Sequence, residues 1–174
     1  RNKFLPNLET QNVIGYIEGK KKNKFIIVSA HYDHLGQMGS ETYFPGANDN
    51  ASGVAMLLYL AKYFTEHKPK YSLVFMAFGA EEVGILGSKH YVENPLFPLK
   101  EIRFVLNCDI MGTGDKGITV VNGTVYKKEF KKLAVINVEK ENLEKVKVRG
   151  RAANSDHYWF SQKQIPAVFI YTMG

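Results

Sequence analysis

Apolar and polar positions along the chain alternate between short runs rich in β-branched residues and longer stretches with helical spacing. Val13 to Ile17 (VIGYI) is apolar and β-prone apart from Gly15, and suits a strand that runs out at Glu18 and Gly19. Lys24 to Ala30 (KFIIVSA) is short and β-branched, which predicts a buried strand. Gly36, Gly39, Pro45 and Gly46 then mark a long loop. From Ala51 to His67 the period becomes helical, with Val54, Leu57, Leu58 and Ala61 forming a stripe and Asn50 or Ser52 able to cap the start. Tyr71 to Phe78 (YSLVFMAF) predicts a second buried strand, and a helix from Leu86 to Asn94 is stopped by Pro95 and Pro98.

The second half repeats the alternation. Ile102 to Cys108 (IRFVLNC) is a third central strand, and Ile118 to Val121 a short one. Tyr126 to Lys140 has helical spacing, Val146 to Arg149 suits an edge strand, and Asp156 to Gln162 a short helix. Ala167 to Thr172 (AVFIYT) is the last strand. Hydrophobic strands alternating with amphipathic helices imply an α/β protein whose mainly parallel sheet is covered on both faces. In such sheets ligands bind beyond the carboxyl ends of the strands.

Composition bounds this picture without redirecting it. A chain of 174 residues with 45% hydrophobic content can bury one real core, and no repeat or linker divides it. No apolar run of about 18 residues is present, so no membrane span is expected. The net charge of +6 is concentrated at Lys20, Lys21, Lys22 and Lys24 and at Lys127, Lys128, Lys131 and Lys132. Neither cluster interleaves aromatics with arginines, so both read as solvated surface, and no nucleic-acid partner is expected. Cys108 is the sole cysteine, which leaves no internal disulfide and leaves the compartment open.

Candidate chemistry lies just past the strands. His31, Tyr32 and Asp33 follow the Lys24–Ala30 run, Glu81 and Glu82 follow Tyr71–Phe78, and Asp109 follows Ile102–Cys108. Asp49 precedes the first long helix, where the helix dipole favours an anion. Asp33, Asp49, Glu81, Glu82 and Asp109 thus converge on one sheet edge from distant segments. Like charges repel at close range and lose hydration when buried, and a divalent cation removes both penalties. Imidazole mixed with carboxylate suits zinc, with manganese or cobalt also compatible. His31 and Asp33 stand two apart on an extended segment and share a face, so one can ligate while the other accepts the second ring N–H. Glu81 and Glu82 diverge because they are adjacent. One can hold a metal while the other reaches the water to be activated, and spacing leaves open which does which.

At these residues the sequence resembles the zinc exopeptidase family that includes bacterial leucyl aminopeptidases, glutamate carboxypeptidase and the glutaminyl cyclases. The matching segments are AHYDHLG at 30–36, GANDNASG at 46–53, AEEVGILG at 80–87, NCDIMG at 107–112 and SDHYWF at 155–160, in the family's order. The resemblance implies a single catalytic domain over 1–174, a three-layer α/β/α sandwich with a mixed, mainly parallel central sheet. It implies two zinc ions in an intact site and aminopeptidase action on the N-terminal bond of a peptide or small protein. His31 and Asp109 would bind the first metal, with Asp33 supporting that site and contributing to catalysis. Asp49 would bridge the metals, Glu82 would bind the second, and Glu81 would be the general base. Export is common among bacterial members, which points to the cell envelope or outside.

The ends depart from the family pattern. On spacing alone His157 is the candidate imidazole for the second metal. The resemblance instead implies a later histidine, in a His-Thr segment beyond the strand matching Ala167–Thr172. The chain stops at Gly174 and has only a dozen residues before its first strand, so a fragment lacking both ends is expected. Two rival readings stay open: a glutaminyl cyclase-like acyltransferase with one zinc, and a receptor-like binding domain without catalysis. Ser155 lies near His157, but no nucleophile elbow accompanies it, so a serine hydrolase has no support.

Overall fold

The computed structural model describes residues 9–174. Its main sheet contains β1 (Val13–Ile17), β2 (Lys21–His31), β5 (Tyr71–Phe78), β6 (Ile102–Cys108), β7 (Ile118–Val121), β8 (Val146–Val148) and β9 (Ala167–Thr172). The spatial order is β1-β5-β2-β6-β9-β7-β8. The central strands β5, β2, β6 and β9 are parallel, β1 pairs antiparallel with β5, and β7 pairs antiparallel with β9. The helices are α1 (Ser52–Glu66), α2 (Leu86–Glu93), α3 (Lys127–Lys140) and α4 (His157–Gln162). Among the described residues no helix is long and apolar enough to cross a membrane.

Strand alternation sorts side chains into two layers of core, as the period of two requires. On one face Val28, Leu73 and Phe75 pack with Leu57 of α1, and farther along the sheet Val120, Val168 and Ile170 meet Phe130 and Leu133 of α3. On the other face Ile27, Val74, Met76 and Phe78 pack with Tyr91 of α2 and Phe160 of α4. Ile27, Met76, Phe78 and Phe160 have no exposed surface, and each such burial is worth about 1.5–3 kcal/mol. The rings of Phe78, Tyr91 and Phe160 stand 5.8–6.4 Å apart, joining the end of β5 to both helices.

Three details differ from the sequence reading. β2 begins at Lys21, because Lys21 pairs with Tyr71 although its surroundings are polar. The loop after His31 contains a hairpin, β3 (Gly36–Met38) with β4 (Thr42–Phe44), whose almost wholly exposed strands leave no hydrophobic alternation to read. The buried stripe of α1 uses Val54, Met56, Leu57, Leu60, Ala61 and Phe64, and Leu58 is 61% exposed. The chain order runs from β2 to β5 on one side and then returns to β6 on the other. The crevice between the carboxyl ends of β2 and β6 is therefore the point where the strand order reverses, the place such sheets use for ligands.

Candidate metal centre

His31 ends β2 and Asp109 follows β6, so the two flank that crevice. Both are buried, at 1% and 5% exposure. The His31 Nε2 atom lies 3.2 Å from Asp49 Oδ1 and 3.4 Å from Asp109 Oδ1. Two ligands bound to one zinc at about 2.0–2.2 Å in tetrahedral geometry stand ~3.3–3.5 Å apart, so these separations match the edges of a coordination shell. Asp109 Oδ1 is buried without a hydrogen-bond partner, and its other oxygen accepts from Ser155 Oγ at 2.7 Å. An orphaned carboxylate oxygen facing an imidazole and a second carboxylate fits a divalent cation.

Asp49 is presented by its neighbours. The segment Ala47–Ala51 is irregular, and the Asp49–Asn50 peptide bond is cis. Buried Asn50 accepts from the backbone N–H groups of Gly53 and Ile110 at 3.0 and 3.2 Å and donates to the Cys108 carbonyl at 3.1 Å. Asn48 accepts from the Gly112 N–H at 2.8 Å, and Ser52 Oγ from that of Met111 at 2.7 Å. Three alternate residues thus stitch the start of α1 to the end of β6. A side chain at Gly53 would collide with the Cys108 carbonyl, so this approach requires glycine. Asp49, between the stitches, is 43% exposed at its side chain and faces the site.

Asp33 works differently from the sequence reading. His31 Nδ1 lies 3.1 Å from the Asp33 carbonyl oxygen and 3.7 Å from its carboxylate, so the backbone carbonyl, not the carboxylate, orients the ring. The carboxylate accepts from the N–H groups of Glu81 and Glu82 at 3.0 and 3.1 Å. It fixes the turn from which the two glutamates diverge. Trp159 holds the same turn from α4, its indole N–H donating to the Ile85 carbonyl at 3.0 Å. Ile85 and Ile110 both have φ of 59°, a conformation that branched side chains adopt only where the surroundings over-determine it. Both line the site, a cleft of about 380 Å³ that also exposes His31, Asp49, Glu81, Glu82 and Asp109.

Two ligand-like groups form in this cleft: His31, Asp49 and Asp109, and His34, Asp49 and Glu82. They share Asp49. Glu81 belongs to neither and reaches within 4.0 Å of His31 Nε2. Burial pushes the Glu81 carboxyl up to about 8, with the charge of His31 opposing. Burial works against a charged His31, but Asp109, Glu81 and Asp156 outweigh it and raise its pKa to about 10. For Asp49, burial and the repulsion of Asp109 raise the pKa. Burial and then crowded negative charge raise the two carboxyls, and the same carboxylates raise His31; a cation relieves both conditions.

His157 joins neither group. It is fully buried, its Nε2 lies 3.1 Å from the Ala152 carbonyl oxygen, and burial lowers its pKa to about 4. Sequence reasoning gave no role to His34, which the structure brings to Glu82, its Nδ1 2.6 Å from Glu82 Oε1. Its position three residues after His31 was the available signal.

An aminopeptidase of Bacillus subtilis is 39% identical over 114 residues, covering 64% of this chain and 24% of that protein. The crystal structure of a zinc aminopeptidase from Bacillus subtilis matches with a TM-score of 0.77 at 30% identity, over 92% of this chain and 39% of that one. A glutaminyl cyclase from an Acidobacteriales bacterium matches with a TM-score of 0.73 at 25% identity, over 91% of this chain and 57% of that one. The chain therefore spans about a quarter of the length of the curated relative and under half of the zinc aminopeptidase structure. Residues 12–173 match Peptidase family M28, and the chain belongs to that family.

Proposed function

We propose that this chain carries the catalytic centre of a zinc-dependent aminopeptidase that hydrolyses the N-terminal bond of peptides or small proteins. The observation that carries the reading is Asp49 shared between the His31–Asp109 group and Glu82, with Glu81 beside them and outside both groups. His31, Asp49 and Asp109 would hold one zinc ion, and Asp49 and Glu82 a second. When bound, such ions supply Lewis acidity that polarises the scissile carbonyl and acidifies water. Asp33 holds the Glu81–Glu82 turn, so the base and the ligand keep fixed relative positions. Glu81 takes a proton from the attacking water and delivers it to the leaving amine. Its raised proton affinity, caused by burial, suits that transfer near neutral pH.

The glutaminyl cyclase likeness motivates one rival, an acyltransferase acting on N-terminal glutamine. The paired ligand groups favour hydrolysis, because a single-ion site does not need Asp49 between two donor sets. The test is to incubate the intact zinc-loaded protein with unblocked peptides, including one beginning with glutamine. Release of free N-terminal amino acids supports the aminopeptidase. Ring closure with loss of ammonia and no chain shortening refutes it, and absence of zinc binding favours a receptor-like domain.

A further inference from the structure

Every carboxylate ligand has two oxygens, and a metal position is specific only if something decides which one faces the ion. In this chain Asp109 and Glu82 each have one oxygen engaged, and the engaging groups come from different parts of the fold. Behind Asp109 runs a buried chain of hydrogen bonds. Ser29 Oγ on β2 donates to Asn107 Oδ1 at 2.7 Å, Asn107 Nδ2 donates to Ser155 Oγ at 2.6 Å, and Ser155 Oγ donates to Asp109 Oδ2 at 2.7 Å. Ser29, Asn107 and Ser155 have no exposed surface. Direction is forced along this chain. A serine hydroxyl has one proton, and the Ser155 oxygen already accepts from Asn107, so its proton points at Asp109. Asp109 Oδ1 is left bare toward His31 and Asp49.

Glu82 is held from the opposite side. The distance of 2.6 Å between His34 Nδ1 and Glu82 Oε1 is shorter than the ~3.3 Å that separates two atoms ligating one zinc ion. It is the length of a charge-assisted hydrogen bond, with the ring N–H donating to an acceptor-only carboxylate. His34 therefore occupies one Glu82 oxygen and leaves the other for an ion. The ring itself is seated against the loop at Gly46, where an added Cβ would lie 3.0 Å from its Cβ and Cγ.

We propose that Ser155 and His34 are positioning residues, each dedicated to one ion position: Ser155 sets Asp109 for the first, and His34 sets Glu82 for the second. The inference rests on the two-ion reading above. It separates the positions, since neither hydrogen bond touches the other's ligand and only Asp49 is common. Nothing in the sequence spacing announced either pair, whose members lie 46 and 48 residues apart.

The test measures the occupancy of each position by anomalous scattering from crystals of the intact protein at limiting zinc, with zinc affinity from chelator competition. Ser155→Ala should weaken the His31–Asp109 position by about 10–100-fold and leave the Glu82 position nearly full. His34→Ala should do the reverse. His34→Asn should restore the Glu82 position, because the asparagine amide N–H can stand where the ring Nδ1–H stood; failure of this rescue overturns the role of His34. Ser29→Ala supplies the control for folding. It breaks the same buried chain at its far end and leaves the Ser155–Asp109 hydrogen bond in place, so it should lower the melting temperature with a smaller loss of zinc affinity than Ser155→Ala. Equal losses at both positions in either alanine variant, or a Ser29→Ala affinity loss equal to that of Ser155→Ala, would overturn the assignment. If the unaltered protein shows no ion beside Glu82, the two-ion reading itself fails, and the division of labour falls with it.

Discussion

The carboxyl edge of the central sheet and the outer face of α3 both concentrate charge of one sign, under opposite conditions. On α3, Lys127, Lys128, Lys131 and Lys132 are all exposed, and the helix buries no residue. Water and salt screen such charges, so their repulsion costs little. At the sheet edge Asp109 is buried and Glu81 nearly so, their charges facing the same small cleft as Asp49 and Glu82. There solvent cannot absorb the repulsion, and the fold supplies the fixed donors of Ser155, His34 and two backbone N–H groups. A charge cluster therefore informs on function through its cover and its partners, not through its density.

The largest effect is expected at Glu81, on the covered side of this contrast. Glu81→Gln keeps the shape and removes the carboxylate proposed as the proton acceptor, so turnover should fall by about 10²–10⁴-fold with zinc content unchanged. A variant with near-normal turnover would overturn Glu81 as the base.

Next in size is the buried histidine beside the cleft. The His157 pKa falls from 6.5 to about 4 on folding. The unfolded chain therefore binds more protons between those values, and stability drops as pH falls through that window, by about 3 kcal/mol in all. His157→Phe should lose this part of the acid slope. The difference between variant and parent, read by denaturant unfolding across that range, separates it from Asp156, whose pKa is raised to about 7 by burial and whose slope is opposite. Parallel curves would mean that His157 is not held neutral.

Chelation should come third. Stripping zinc that is present at about a hundred times its dissociation constant removes about 2.7 kcal/mol of stability and restores repulsion among Asp49, Glu82 and Asp109. Calorimetry with and without chelator checks this, and an unchanged melting temperature would count against metal at the edge. Smallest of all, a Lys→Ser change at any one of the four α3 positions should shift stability by under about 0.5 kcal/mol. A larger loss would mean that this face is packed against something.

Much of the scaffold was legible. The limits of β5, β6, β7 and β9 follow the apolar runs, because buried strands in a covered sheet have little polar alternation to blur them, and the exposed edge strand β1 follows its β-prone run up to Glu18 and Gly19. The hairpin β3–β4 and the polar start of β2 escaped, since both owe their form to pairing and not to burial. For the site, the placement of His31, Glu81, Glu82 and Asp109 was readable from strand ends and that of Asp49 from the start of the first long helix, and the structure brings all five to one cleft. The pairings of His34 with Glu82, of Ser155 with Asp109 and of the Asp33 carboxylate with two backbone N–H groups were not readable. A hydrogen bond across dozens of residues leaves no periodic trace, and the atom of Asp33 that orients His31 belongs to the backbone.

Trp159 is the sole tryptophan of the sequence, and its indole is tied to the turn that carries both glutamates, with the Lys89 ammonium 5.2 Å from the ring centre. That placement gives the protein a built-in optical gauge. Its fluorescence arises from one known location, hydrogen-bonded to the Ile85 carbonyl three residues from Glu82, and responds to the local field there. A zinc titration followed by this emission, without label or substrate, therefore reports directly on the proposed site.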